Sequence, residues 1–192
     1  VKDLIAQGAD LLSGSPKTGK SWLALMLCLK VATGEKLWNF ETKQGTSLYL
    51  CLEDSIARIQ SRLFELTDDA PPDIHFATVA ECIGYGIEEQ IENFCKEHPN
   101  PRLVVIDTFQ KIRTLSNDNA YASDYHDVCF LKSIADKLKI AIVLIHHLRK
   151  QKDDDPMNRV SGTTGITGAA DSTFVLEKLK REGTRAKFTC TG

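Results

Sequence analysis

The sequence predicts an α/β domain with a mainly parallel central sheet, helices on both faces and a C-terminal β-hairpin. Three observations carry that prediction. Apolar runs at Thr46–Leu52, Leu103–Ile106 and Ile140–Ile145 each stop abruptly at polar residues, as strands buried on both faces of a parallel sheet do. Between them lie segments with apolar residues three and four apart, the period of a one-sided helix. Near the N-terminus a short strand, a glycine loop and a helix-forming stretch follow one another. Strands alternating with helices imply right-handed crossovers, and in such sheets ligands gather at the carboxyl ends of the strands.

In chain order, residues 2 to 8 form a lead-in, and Ala9–Ser13 reads as the first strand. Trp22–Leu29 begins a helix with no Pro or Gly until Gly34. Residues 34 to 45 are polar and turn-prone, with Trp38 and Phe40 expected as the anchors of a small satellite core. After the strand at Thr46–Leu52, Asp54 is expected to open a helix running to Leu66, with Ile56, Ile59, Leu63 and Leu66 on one face. Pro71 and Pro72 break the chain before a strand at Ile74–Val79. A helix after Gly86 presents Ile87, Ile91, Phe94 and Cys95. The strand at Leu103–Ile106 ends in Asp107, and a polar loop precedes a long helix striped by Val128, Leu131, Ile134, Ala135 and Leu138. The strand at Ile140–Ile145 ends in His146 and His147. Leu148–Thr167 has no apolar period and is expected to be a loop. Phe174–Leu176 and Phe188 suit the paired strands of a hairpin whose turn is Glu182-Gly183-Thr184.

Composition narrows the class. A chain of 192 residues, 42% hydrophobic, is expected to form one domain over residues 1–192. It opens at Val1 without Met and stops at Gly192 just after a strand-like run, so a longer native protein is expected. A net charge of −2 and a pI near 6.2 argue against a generally basic protein that coats nucleic acid. The six cysteines form no C-x-x-C pair, which suggests buried thiols in a reducing compartment. No apolar run approaches a membrane span and no signal pattern is present, so a cytoplasmic location is expected.

The chemistry concentrates at Gly14-Ser15-Pro16-Lys17-Thr18-Gly19-Lys20-Ser21, which fits G-x-x-x-x-G-K-[ST] at every fixed position. This is a phosphate-binding loop: the glycines let the backbone curl so that its N–H groups point inward, and the following helix N-terminus adds partial positive charge. Lys20 is expected to reach the terminal phosphates of a nucleotide and Ser21 to bind Mg²⁺. Asp107, after an apolar strand, fits a second Mg²⁺ position across from Ser21. Thr108 follows it, so the base for hydrolysis must come from elsewhere. Glu53, at the end of another strand, can orient or deprotonate the attacking water, with Asp54 in reserve. His146 and His147 face opposite ways on an extended chain, and His147 is the preferred sensor of the γ-phosphate. A zinc site at the histidines is not expected, because no Cys or Asp stands at ligand spacing.

With Tyr49–Asp54, Val105–Thr108 and Leu144–His147, the phosphate loop occurs in the order found in RecA-like P-loop ATPases. The sequence most resembles the RepA-type hexameric plasmid helicases and related phage or mobile-element AAA-type ATPases, over about residues 9 to 177. That resemblance implies a RecA-like core, Mg²⁺-dependent ATP hydrolysis and a homo-oligomeric ring, as large as a hexamer, with nucleotide at each interface. It gives Glu53 the role of catalytic base and has His147 couple the γ-phosphate to a mobile loop. It also implies a basic residue supplied by the neighbouring subunit, for which Arg159, Lys178, Lys180 and Arg181 are candidates. Loops at 113–119 and 148–167 are expected to line a channel for single-stranded DNA, with Arg149, Lys150 and Lys152 available for phosphates but Asp153, Asp154 and Asp155 opposing them. The work implied is of helicase, replication, recombination or repair type. Two alternatives share the loop: a nucleotide-dependent regulatory switch and a small-molecule kinase.

Overall fold

The computed structural model describes residues 1–114, 119–148, 156–180, 183 and 185–192. Strands β1 (Gly8–Gly14), β2 (Thr46–Cys51), β3 (Ile74–Ala77), β4 (Pro101–Asp107), β5 (Ala141–His147), β6 (Ser172–Lys178) and β7 (Ala186–Thr191) form one sheet. Its order is β3-β2-β4-β5-β1-β6-β7. Neighbours from β3 across to β6 are parallel, and β7 returns antiparallel to β6 as the expected hairpin.

Helices α1 (Lys20–Thr33) and α2 (Ile56–Leu66) cover one face. The other carries α3 (Ile87–Glu97), α4 (Ala120–Leu138) and α5 (Thr164–Ala169). Along β4, Val105 packs with the α1 side while Val104 and Ile106 pack with the α4 side. Both faces are therefore dry, which is why the strand is apolar at successive positions rather than at alternate ones. The hairpin is held by Phe174 stacked on Phe188, with centroids 5.3 Å apart.

Register sets the working edge. Gly14 pairs with His147, Asp107 with Ile145, and Cys51 with Asp107. The carboxyl ends of β1, β2, β4 and β5 thus lie side by side, and the loops that leave them share one rim.

Several boundaries differ from the sequence expectation. Ser55, not Asp54, caps α2, its hydroxyl accepting the N–H of Arg58, because Asp54 is engaged by Arg58 and Arg62. Ile56 is 51% exposed, since the first turn of α2 projects beyond the sheet, and Ile59 and Leu63 make the buried face. Leu37, rather than Trp38, anchors the 34–45 segment; Trp38 is 51% exposed and meets only the edge of Phe188. The strand β3 stops at Ala77, short of the exposed Val79.

The largest difference lies at 148–167. Leu148 bridges to Val160, and Thr163 caps α5 by accepting the Gly165 N–H, so part of the expected loop is ordered structure with Ile166 and Ala169 buried. Residues 149–155, including Arg149, Lys150, Lys152 and Asp153–Asp155, lie outside the described residues, as do 115–118, Arg181, Glu182 and Thr184. Among the described residues no helix is long and apolar enough to cross a membrane. All six cysteines are free, and burial pushes the Cys28 thiol up to about 12 and the Cys51 thiol up to about 11.

Candidate functional site

The phosphate loop joins β1 to α1 with little slack. Lys17 has φ 62° and Gly19 φ 103°; the second is a conformation that side chains rarely tolerate and that glycine adopts freely. Gly19 is the N-cap of α1, so the open helix N-terminus faces the loop. The Thr18 hydroxyl donates to the Ser15 carbonyl at 2.9 Å, bracing the turn from inside. Lys20 Nζ donates to the carbonyls of Gly14 at 2.8 Å and Ser15 at 3.1 Å. Burial lowers the Lys20 pKa, while the charges of Asp107 and Glu53 act to raise it.

Asp107 stands directly opposite. Its Oδ2 accepts the Ser21 hydroxyl at 2.7 Å and the Tyr49 phenol at 2.7 Å, and the residue is 7% exposed. Burial pushes the Tyr49 phenol far up, and the Asp107 charge adds to that, so Tyr49 is a permanent donor. The peptide bond from Asp107 to Thr108 is cis. Thr108 Oγ1 donates to Glu53 Oε1 at 3.1 Å, and Leu52 N–H donates to the Asp107 carbonyl at 2.7 Å. The two acids are thereby linked through both backbone and side chain.

Glu53 and His147 form the outer corner. His147 Nε2 lies 4.0 Å from Glu53 Oε2, with side chains 41% and 43% exposed. His146 turns the other way, into the protein, and its Nε2 meets the Ser161 carbonyl at 3.0 Å. Burial drops the His146 pKa to about 4. The opposite orientations follow from strand geometry. The alternative base, Asp54, is held by Arg58 at 2.6 Å and Arg62 at 2.5 Å.

In front of the loop opens a cleft of about 660 Å³ lined by residues 17 to 22 with Arg62 and Lys178. A volume of that order suits a nucleotide-sized ligand. Arg62 sits over the Trp22 ring at 5.7 Å, giving the cleft an aromatic and cationic wall.

The structure thus brings together Gly14–Ser21, Asp107, Glu53 and His147, and leaves His146 and Asp54 turned to other partners. Arg159 is also engaged within the chain, donating to Glu177 at 2.5 Å. Tyr49, Thr108 and the Trp22–Arg62 pair were not among the sequence candidates. Tyr49 lies inside an apolar run, where an aromatic reads as core, and only strand adjacency reveals its partner. Thr108 was legible as the residue after Asp107, but its reach to Glu53 depends on how β2 and β4 pair.

The sequence profile described as an AAA domain matches residues 1–153. No curated protein sequence matches the chain. Among solved structures, one described as an isolated ATPase domain matches with a TM-score of 0.70 at 14% identity, over 97% of this chain and 81% of that one. A DnaB-like replicative helicase, described with its interactions with primase, matches with a TM-score of 0.70 at 13% identity, over 97% of this chain and 56% of that one. The phosphate loop, the Ser21–Asp107 contact and the sheet order agree with these matches, and the chain belongs to the AAA domain family as a P-loop ATPase of RecA-like fold.

Proposed function

We propose that this chain is the ATP-hydrolysing domain of an oligomeric, DNA-associated ATPase of helicase type, working in the cytoplasm on a magnesium-bound triphosphate. The observation that supports it most is the convergence on one sheet edge of the phosphate loop, Asp107 bonded to Ser21, and Glu53 on the adjacent strand end.

The residues fit the implied metal. Ser21 and Asp107 offer hard oxygen donors, and among the described residues no cluster of three or more His, Cys, Asp or Glu forms a protein cage. Mg²⁺ suits such a sparse site because it keeps waters and takes phosphate oxygens for its remaining positions. Ser21 and Asp107 would hold it, and the ion when bound neutralises charge developing on the phosphoryl oxygens.

The chain's own groups divide the rest of the work. The loop amides and the α1 N-terminus bind the phosphates, and Lys20 supplies a positive charge to the terminal ones. Glu53 takes the proton of the attacking water as general base. Thr108 fixes one oxygen of that carboxylate and leaves the other toward His147, where His147 senses the γ-phosphate.

A base and sensor this open to solvent are suited to closure by a neighbouring subunit, which would exclude competing water. The matches to the ATPase domain and to the DnaB-like helicase support a helicase-type reading on the ground of fold. Arg159 is the weakest candidate for the residue supplied in trans, because Glu177 already holds it. Lys178 faces its own cleft, which leaves Lys180 and Arg181 of the hairpin as the residues offered to a neighbour. Single-stranded DNA would be met by the loops after β4 and β5.

The test is Mg²⁺-ATP turnover with and without single-stranded DNA, with particle mass measured by light scattering. A multimer whose turnover rises several-fold on DNA is the expected result. A monomer indifferent to DNA would return the reading to a regulatory switch, and transfer of phosphate to a small acceptor would make it a kinase.

A further inference from the structure

The turns that follow β4 and β5 leave the rim of the site from neighbouring strands, and one buried side chain touches both. Asp124, in the first turns of α4, is 4% exposed. Its Oδ1 pairs with Arg113 Nη2 at 2.8 Å, and its Oδ2 accepts the backbone N–H of Thr163 at 2.6 Å. Arg113 closes the turn after β4, and Thr163 closes the turn after β5.

Each turn is also fastened at its other end to the site. On the β4 side, Thr108 reaches Glu53, Phe109 lies edge-on to His146 at 5.8 Å, and the Arg113 guanidinium covers the Phe109 ring at 5.3 Å. On the β5 side, Ser161 N–H donates to the His147 carbonyl at 3.0 Å and the Ser161 carbonyl faces His146 Nε2 at 3.0 Å. Gly162, at φ 84°, allows the close approach: a Cβ there would stand 2.9 Å from Asp124 Oδ2.

Charge makes the arrangement interdependent. Arg113 serves two carboxylates, donating from Nε to Asp127 Oδ2 at 2.6 Å as well as from Nη2 to Asp124. One guanidinium cannot neutralise both, so Asp124 depends on the Thr163 amide for its second oxygen. A buried carboxylate that loses a donor is strongly disfavoured. Displacing either turn therefore penalises the contact with the other.

We propose that Asp124 is a positioning residue that clamps the turn after His147 to the turn after Asp107, so that both respond together when nucleotide binds. The inference rests on the nucleotide site proposed above.

The experiment is amide hydrogen exchange, with and without a non-hydrolysable ATP analogue and Mg²⁺, on the unsubstituted chain, Asp124→Asn and Arg113→Gln. Binding of a fluorescent ATP analogue is titrated on each, so that a failed site, seen as no binding by the unsubstituted chain, is told apart from failed coupling. In the unsubstituted chain, peptides covering 109–114 and 161–166 gain protection together, within about twofold of each other. In either variant their responses diverge by about tenfold or more, while exchange across β4 and β5 and analogue affinity stay within about twofold. Binding without protection of both turns in the unsubstituted chain would overturn the proposal. So would parallel protection in a folded variant, or divergence accompanied by loss of protection throughout β4 and β5, which marks general loosening. Arg113→Gln cuts the other half of the clamp and leaves the Thr163 contact, so a misfolded Asp124→Asn does not decide the matter alone.

Discussion

Asp107 and Glu53 end adjacent parallel strands, yet their surroundings are opposites. Asp107 is buried and already receives two hydroxyl donors, from Ser21 and Tyr49. Glu53 receives one, from Thr108, and its side chain is 43% exposed beside a histidine equally open. The inner corner is complete within one chain, whereas the outer corner is half built. The lesson is a division of labour: holding the nucleotide and its metal is local, and hydrolysing it needs a cover that a second subunit is placed to supply.

Substitutions can break that contrast from either side, and the largest effect is expected at the outer corner. Glu53→Gln removes the base but keeps size and the Thr108 contact, so turnover should fall about 10²-fold or more, the scale of losing general-base catalysis. Affinity for ATP measured by titration should hardly change. Equal losses in both quantities would place Glu53 in binding and erase the division.

At the inner corner the reverse pattern is expected. Asp107→Asn takes a charge from the metal position and should weaken ATP affinity roughly 10- to 100-fold in Mg²⁺, taking one charge-assisted contact as about 1.5 to 3 kcal/mol. In EDTA the difference should nearly vanish. An unchanged ratio with and without Mg²⁺ would remove the metal from Asp107.

The two histidines sharpen the comparison in a third way. His146 is buried with a pKa near 4, against 6.5 when unfolded, so the unfolded chain binds a proton that the folded chain refuses. Stability linked to this group is full above the unfolded value and is lost as pH falls toward 4. Between pH 7 and 4.5 the natural chain should lose about 2 kcal/mol more than His146→Gln, measured by urea unfolding at each pH. His147, in the open corner, should show no comparable stability term when replaced.

Much of this was legible in the sequence for physical reasons. Strands dry on both faces must be apolar throughout, so β2, β4 and β5 declared themselves by composition, and the acids and histidines at their ends stood out by contrast. The phosphate loop was legible because its glycines answer a backbone requirement. What escaped depends on lateral pairing. Tyr49 finds Asp107 only because β2 lies beside β4, with Tyr49 opposite Val105. The helix α5 has a Thr- and Gly-rich sequence with little apolar period, so its order comes from the Thr163 cap and its contact with α4. Asp54 looked like a cap, since Asp commonly is one, but two arginines on α2 claim it.

The central claim is that the loop at Gly14–Ser21 holds a triphosphate through Lys20. The measurement that meets it most directly is titration of a fluorescent ATP analogue, with Mg²⁺, into the natural chain and into Lys20→Ala of verified fold. Saturable binding by the first, weakened by about 100-fold or more in the second as two or more charge-assisted contacts disappear, is the predicted result. Equal binding by both, or none by the natural chain, would contradict the account at its root.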